Sequence, residues 1–264
     1  MRAIRAIIAK EMADILRNRT LMFSSLLPSV LFLIIPLMIG RSAMRGRSGQ
    51  LSPGQMGEII VRMSPDLKDL PAAALGQIFI FRQFVVFMLM IPVITALAIA
   101  SHSIIGEKQT RSLEPLLATP ITSVQLMLAK SLSAALPAVF LTWILFGLYS
   151  LAISIIALPQ VLPNVLTGVT MMLIAVICPL VAVLGLSLGV IVSSRANDPR
   201  TAQQIGGLFI LPIIALFTAQ LQGLYFLNLP VVMSAAVALA IIDLVVLGVG
   251  VALFDRETIL VRWK

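Results

Sequence analysis

Long runs without a charged residue divide the chain into apolar segments of the length that crosses a bilayer. Arg19 and Arg41 enclose one uncharged run, and Arg82 and Glu107 enclose another, which contains the helix-perturbing Pro92. Because an unpaired charge is costly in hydrocarbon, such charges mark the ends of membrane spans. At about 20 residues for each crossing, these runs predict the first and second transmembrane helices.

The remaining apolar sequence predicts four further spans. Residues 131–194 carry no charge, and as one helix they would be about 96 Å long. Two prolines and polar residues within 159–164 therefore predict a turn between a third and a fourth span. A second break, at residues 220–230, divides 201–254 into a fifth and a sixth span; this break could instead form two re-entrant half-helices shielded by protein or water. The pattern predicts an all-α membrane protein with six transmembrane helices.

Residues 1–20 have a different pattern. Apolar residues recur there at helical spacing, and most basic residues lie on other faces. The segment is predicted to be an amphipathic helix at the membrane interface. Its apolar face comprises Ile4, Ile7, Ile8, Met12, Ile15 and Leu16.

Composition excludes a soluble domain. Hydrophobic residues make up 59% of the 264 residues and charged residues only 11%, whereas soluble domains are roughly 25% charged. The net charge of +8 comes from Lys and Arg beside the apolar segments, as in membrane proteins, so nucleic-acid binding is not expected. The single cysteine, Cys178, lies in an apolar run and provides neither a disulfide framework nor a cysteine metal site.

The distribution of Lys and Arg predicts the orientation. Six spans place both termini on one side, and cytoplasmic segments carry the excess of basic residues. Both termini are therefore expected in the cytoplasm of a multi-pass cell-membrane protein. Residues 1–264 form a single transmembrane domain, with an outer loop at 41–77 and a cytoplasmic segment at 106–126. The basic residues assigned to the outer side are Arg41, Arg45, Arg47, Arg62, Lys68 and Arg82.

Motifs for catalysis are absent or misplaced. No Gly-rich loop ends in Gly-Lys-Ser or Gly-Lys-Thr, so this chain does not bind ATP by that route. The string Gly185-Leu186-Ser187-Leu188-Gly189 matches a nucleophile elbow, but it falls in the middle of a predicted helix. Gly185 and Gly189 are instead expected to allow close helix packing. His102, the only histidine, has no catalytic partner in the sequence, which argues against a membrane-embedded hydrolase. We expect no enzyme activity and no metal site.

The second cytoplasmic connection contains apolar residues between two prolines. Pro115 is suited to the first turn of a short helix, and Pro120 would end that helix. Leu113, Leu116 and Leu117 would then form an apolar knob on the water side. Such a knob meets a partner protein, or it rests on the membrane surface.

The same connection resembles a known family. The run Leu-Glu-Pro-Leu-Leu-Ala-Thr-Pro, which follows a Glu-Lys pair, is similar to the cytoplasmic segment of ABC transporter permeases of the type-two export class. The six spans and the N-terminal helix are similar in a more general way. Gln109 and Arg111 depart from the family pattern, which commonly has an acid and a glycine there. The resemblance implies a short coupling helix that docks on an ATPase subunit through Glu107, Leu113, Glu114, Pro115, Leu116, Leu117, Thr119 and Pro120.

The resemblance also implies a function. The chain is expected to be the permease subunit of an ATP-driven exporter, paired with a second permease chain as a homodimer or a pseudo-dimer and with two ABC ATPase subunits. ATP and Mg²⁺ would bind to the ATPase, with no cofactor on this chain, and membrane lipids would surround it. An alternative is a proton-coupled secondary transporter, because Asp243 lies midway along the predicted sixth span and could line a pathway or carry a proton. Asp243 could instead form a structural hydrogen bond with a neighbouring helix.

Overall fold

The computed structural model describes most of the chain as helix. The described residues are 12–13, 15, 17–44, 58–62, 64–109, 123–196, 198–222 and 227–253, and no β-strand occurs among them. The helices are α1 (Arg19–Met44), α2 (Ala72–Met88), α3 (Met90–Gln109), α4 (Ser123–Ile156), α5 (Val161–Val165), α6 (Gly168–Met172), α7 (Cys178–Arg195), α8 (Pro199–Gly207), α9 (Leu211–Leu221) and α10 (Leu229–Leu253). A π-helical turn, Leu173–Ile177, joins α6 to α7, and 3₁₀ turns occur at Pro65–Leu67 and Leu208–Ile210.

Five helical segments among the described residues are long and apolar enough to cross a membrane. The apolar part of α1, Ser25–Arg41, is shorter than these segments. The structure therefore shows an all-helical protein with several membrane-spanning helices, and the count of six spans stays a prediction. The five segments are Ala72–Gly106, Ser131–Ile156, Gly168–Ser193, Pro199–Leu221 and Leu229–Val249.

The second span begins earlier than the charge pattern predicts. The sequence places its start at Gln83, but α2 begins at Ala72, directly after Pro71. Residues 72–77 therefore belong to a helix and not to the predicted outer loop. Arg82 lies within α2, where polar groups from other segments bind its guanidinium group. The charge does not end the helix because these groups replace water.

A single turn residue, Leu89, separates α2 from α3. Pro92 explains the interruption, because it has no N–H to donate to the carbonyl of Met88. The segment nevertheless continues as one candidate span. The break predicted at 159–164 is also present: α4 ends at Ile156, and the short helix Val161–Val165 precedes the fourth span.

Helices α3 and α7 lie at the centre of the bundle. Their mutual contact is the most extensive in the described part of the chain. Helix α1 packs on α2 and α3, α4 packs on α3 and α7, and α10 packs on α7. The outer faces of α1, α4, α9 and α10 expose large apolar side chains such as Phe140 and Leu244, as expected for surfaces that face lipid.

Candidate functional site

Two glycines allow α7 to approach α3 closely. A Cβ atom at Gly185 would lie 2.8 Å from the carbonyl oxygen of Val93, and one at Gly189 would lie 2.8 Å from the Cβ of Ala100. No side chain fits at Gly185 without moving backbone atoms. The structure thus brings these two glycines together along one contact, the α3–α7 seam, as small residues do in membrane helix pairs.

The same stretch of α7 has none of the geometry of a nucleophile elbow. Ser187 lies in the middle of a helix, and its hydroxyl donates to the carbonyl oxygen of Val183 at 2.8 Å. His102 lies on α3, half-buried, near its last turns. Among the described residues, no group of three or more His, Cys, Asp and Glu side chains could hold a metal ion.

Arg82 ties together one end of the bundle. Its Nε donates to the carbonyl oxygen of Asn164 at 2.7 Å, and its Nη1 donates to the Ser64 hydroxyl at 2.9 Å. Asn164 belongs to the connection between the third and fourth spans, and Ser64 to the connection before α2. Arg82, which in the sequence predicts the start of the second span, thus links two connections in the fold. Its guanidinium group can do so because charged donors make strong hydrogen bonds when partly buried.

Two further polar side chains of the interior link α2 to its neighbours. The Gln77 side chain donates to the carbonyl oxygen of Gly40 at 3.4 Å and accepts from the backbone N–H of Leu158 at 3.1 Å. The Tyr149 hydroxyl on α4 donates to the carbonyl oxygen of Phe81 at 3.1 Å. Sequence reasoning missed these residues. A polar residue among apolar ones indicates that some hydrogen-bond partner exists. The sequence does not indicate which partner, because the partners of Gln77 and Tyr149 are distant along the chain.

At the opposite end of the bundle, α8 begins with a capped turn. The Asp198 carboxylate accepts from the backbone N–H and the hydroxyl of Thr201, each at 3.0 Å. These hydrogen bonds, the backbone one first, hold the pKa of Asp198 below its usual value. The cap therefore forms above the ordinary carboxyl pKa and is lost only as the pH falls through the lowered value. Ile105, Ala196 and Ala202 form a small apolar cluster beside it.

Asp243 lies on the inner face of α10. It follows Val232, Ala236 and Leu239 on the stripe of this helix that turns towards the bundle, and only 4% of its surface is exposed. Neither carboxylate oxygen has a hydrogen-bond partner among the described residues. Such a group is costly in an apolar interior.

An apolar cleft separates α9 from α10. Although they are consecutive, these helices make almost no contact with each other: α9 packs on α2, and α10 packs on α7. Phe217 anchors α9 through ring contacts with Phe84 and Phe87, with centroids 6.0 and 4.6 Å apart. The cleft encloses about 500 Å³ and is lined entirely by apolar residues, within the usual range of roughly 300–1,000 Å³ for ligand pockets.

Three irregular backbone segments border this cleft. Each of them contributes lining side chains: Leu89 between α2 and α3, the π-helical turn at Leu173–Ile177, and the 3₁₀ turn at Leu208–Ile210. A side chain of α4 binds the backbone of the π turn: the Trp143 indole N–H donates to the carbonyl oxygen of Ile174 at 2.9 Å. Irregular helix is tolerated at membrane depth where other side chains bind its backbone, and π turns often occur at functional sites.

Comparison with known families identifies the chain. The profile of the ABC-2 family transporter proteins matches residues 5–232, which is most of the sequence. The chain belongs to the ABC-2 transporter family. No curated protein matched the sequence significantly.

Membership of the ABC-2 family confirms the resemblance seen at the second cytoplasmic connection. With several apolar helices, it makes the chain a multi-pass membrane protein and a permease component of an ABC transporter, rather than an enzyme. The family implies an ABC ATPase subunit as partner. It gives no support to the alternative of a proton-coupled secondary transporter.

The predicted ATPase-docking residues of this ABC-2 permease are mostly outside the described structure. Glu107 belongs to the last turn of α3, which ends at Gln109, and its side chain is not described. Residues 110–122 precede α4 and are not described, nor are most of residues 1–20. The docking residues outside the described chain are Leu113, Glu114, Pro115, Leu116, Leu117, Thr119 and Pro120.

Proposed function

We propose that this chain is the membrane-spanning subunit of an ATP-driven exporter. Two copies would pair as a homodimer and bind two ABC ATPase subunits on the cytoplasmic side, where both termini also lie. ATP and Mg²⁺ would bind to the ATPase, and this chain would supply the membrane path. The match to the ABC-2 family over residues 5–232 is the observation that carries the proposal.

The coupling role is assigned to residues 106–126. Binding of ATP would close the ATPase dimer, and the apolar knob of this segment would carry that movement into the membrane domain. Two features support this assignment: the position of its leucines beside and between two prolines, and the start of the segment at the end of α3. Because α3 packs on α7 along the most extensive contact of the bundle, a displacement of its end at Gln109 would move both helices together.

A double substitution in the knob tests the docking role. Leu116→Asp with Leu117→Asp would place two charges in a desolvated contact, so we expect ATPase binding to weaken at least about a hundredfold. The measurement is the ATPase-to-permease stoichiometry after co-purification from membranes, together with stimulation of ATP hydrolysis. Leu51→Asp, the same chemical change in the predicted outer loop, is the matched control and should keep the wild-type stoichiometry.

Thermal stability of the permease alone separates docking from folding. The double variant should melt at the wild-type temperature while it fails to retain the ATPase. A double variant that keeps both wild-type stoichiometry and stimulated ATP hydrolysis would contradict the docking assignment and favour a knob that rests on the membrane surface.

A further inference from the structure

The cleft between α9 and α10 is long and narrow. Val231 and Val246 both line it on α10, and at 1.5 Å per residue they are about 22 Å apart along the helix. Spread over that length, about 500 Å³ of space for the centres of water-sized spheres corresponds to a free width of about 8 Å once the sphere radius of about 1.4 Å is added on each side. A helix with its side chains is about 10–12 Å in diameter, so the cleft is too narrow for a helix from another chain.

The chemistry of the walls excludes polar ligands. Every lining side chain is apolar, including Val93 and Leu173 as well as Leu216 on α9 and Ile242 on α10. A headgroup, an ion or a sugar would lose its hydrogen bonds there without replacement. An alkyl chain has no hydrogen bonds to lose. Its carbon atoms would lie about 3.5–4.0 Å from the carbon atoms of each wall, so one alkyl chain fits across the cleft.

The rim of the cleft, as far as the structure describes it, is exposed on helices long and apolar enough to span the membrane. This rim includes Leu216 and Ile242, which are 55% and 44% exposed. An occupant can therefore enter sideways from the hydrocarbon region without crossing a polar surface. It would also fill the gap between two consecutive helices that pack on different neighbours instead of on each other.

We propose that this cleft binds one acyl chain of a bilayer phospholipid, held lengthwise between α9 and α10, with the headgroup outside the cleft. The site is separate from the ATPase-docking segment. It requires neither ATP nor the transported substrate, so its test can fail while the proposed function stands.

Photolabelling tests the acyl-chain site directly. The full-length protein is reconstituted in vesicles of phosphatidylethanolamine and phosphatidylglycerol, doped with a phosphatidylglycerol that carries a diazirine at the end of one acyl chain. After illumination, mass spectrometry maps the labelled residues. We expect label on cleft residues such as Phe209, Leu216 and Ile242 well above that on Phe140 and Leu244, which are exposed elsewhere on the bundle.

Two cleft-filling variants supply the second measurement. Ala235→Phe on α10 and Leu216→Trp on α9 add bulk to opposite walls. Labelling of the cleft should fall at least about tenfold, because the loss of only two buried methylene groups corresponds to about that factor in affinity. The matched controls are Ala238→Phe, which is exposed on α10 outside the cleft, and Leu211→Trp, which is 56% exposed on α9 outside the cleft. The controls should label as the wild type does.

Several results would overturn the acyl-chain site. One is label spread evenly over all lipid-facing helices, and another is cleft label unchanged in both filling variants. A third is the absence of lipid label from the cleft together with disulfide formation between the Leu216→Cys residues of two copies of the chain, which would assign the cleft to the dimer interface. Ala235→Phe and Leu216→Trp lie on different helices, so if one variant misfolds, the other still tests the acyl-chain site.

Discussion

At the scale of single residues, Asp243 is one of two described side chains, with Gln83, whose two polar atoms are both buried without a hydrogen-bond partner among the described residues. A carboxyl group that is 4% exposed and has no hydrogen-bond partner among the described residues lowers the stability of the fold, and a group retained at such a cost points to a function. The structure places it on the face of α10 that turns towards the bundle. We therefore keep the hypothesis that Asp243 belongs to the transport pathway.

Substitution by leucine tests the cost of Asp243. Removing an unpartnered buried carboxyl should raise stability by about 1–3 kcal/mol, which is a few degrees in Tm for a chain of this size. Asp243→Asn keeps the volume and hydrogen-bonding capacity and should melt close to the wild type. Thermal unfolding of both variants in the same detergent provides the comparison.

The outcome distinguishes two roles for Asp243. A leucine variant that is more stable, yet no longer supports export in cells, identifies a group retained for transport. If Asp243→Leu melts below the wild type, the carboxyl makes a structural hydrogen bond in the assembled protein, and the pathway hypothesis is wrong.

At the scale of helices, the α3–α7 seam holds the bundle together. Gly185→Ala would place a Cβ atom 2.8 Å from the Val93 carbonyl oxygen, and backbone atoms cannot rotate away as a side chain can. We expect a loss of about 1–3 kcal/mol from overpacking, seen as a lower Tm. Gly147→Ala on α4 is the matched control, because a Cβ atom there meets nothing within 4 Å. Equal melting temperatures for the two variants would show that the seam is looser than the structure indicates.

At the scale of the whole molecule, the orientation of the chain is open to a labelling test. The six-span prediction puts Ser48 outside and Ser112 in the cytoplasm. In a Cys178→Ala background, Ser48→Cys should react with an impermeant thiol reagent added to intact cells, whereas Ser112→Cys should react only after the membrane is opened. Labelling of both cysteines in intact cells would exclude six spans with this orientation.

Hydrogen bonds link two of the predicted outer connections, as expected if both lie on the same side of the membrane. Arg82 links Ser64, before α2, to Asn164, between α4 and α6. The ends of α3, α7 and α8 meet at the other end, around Ile105 and Ala202. Which of these two ends faces the cytoplasm rests on the excess of Lys and Arg.

The sequence by itself determined that this is a helical membrane protein and approximately where its helices lie. Those properties are local: apolar runs of sufficient length enter the bilayer, and there each backbone N–H must bond within its own helix. The connection that includes Leu116 was sufficient to indicate the family, because its prolines and leucines are adjacent in the chain.

Only the tertiary structure decided the start of the second span, the partners of the seam and the existence of the cleft. Arg82 by itself predicts a boundary, because an isolated charge avoids hydrocarbon, but Asn164 and Ser64 bind it inside the fold. The cleft arises because α9 and α10, neighbours in sequence, pack on different helices. These features depend on contacts between residues that are distant along the chain, and no local pattern of apolar and polar residues specifies which distant surfaces meet.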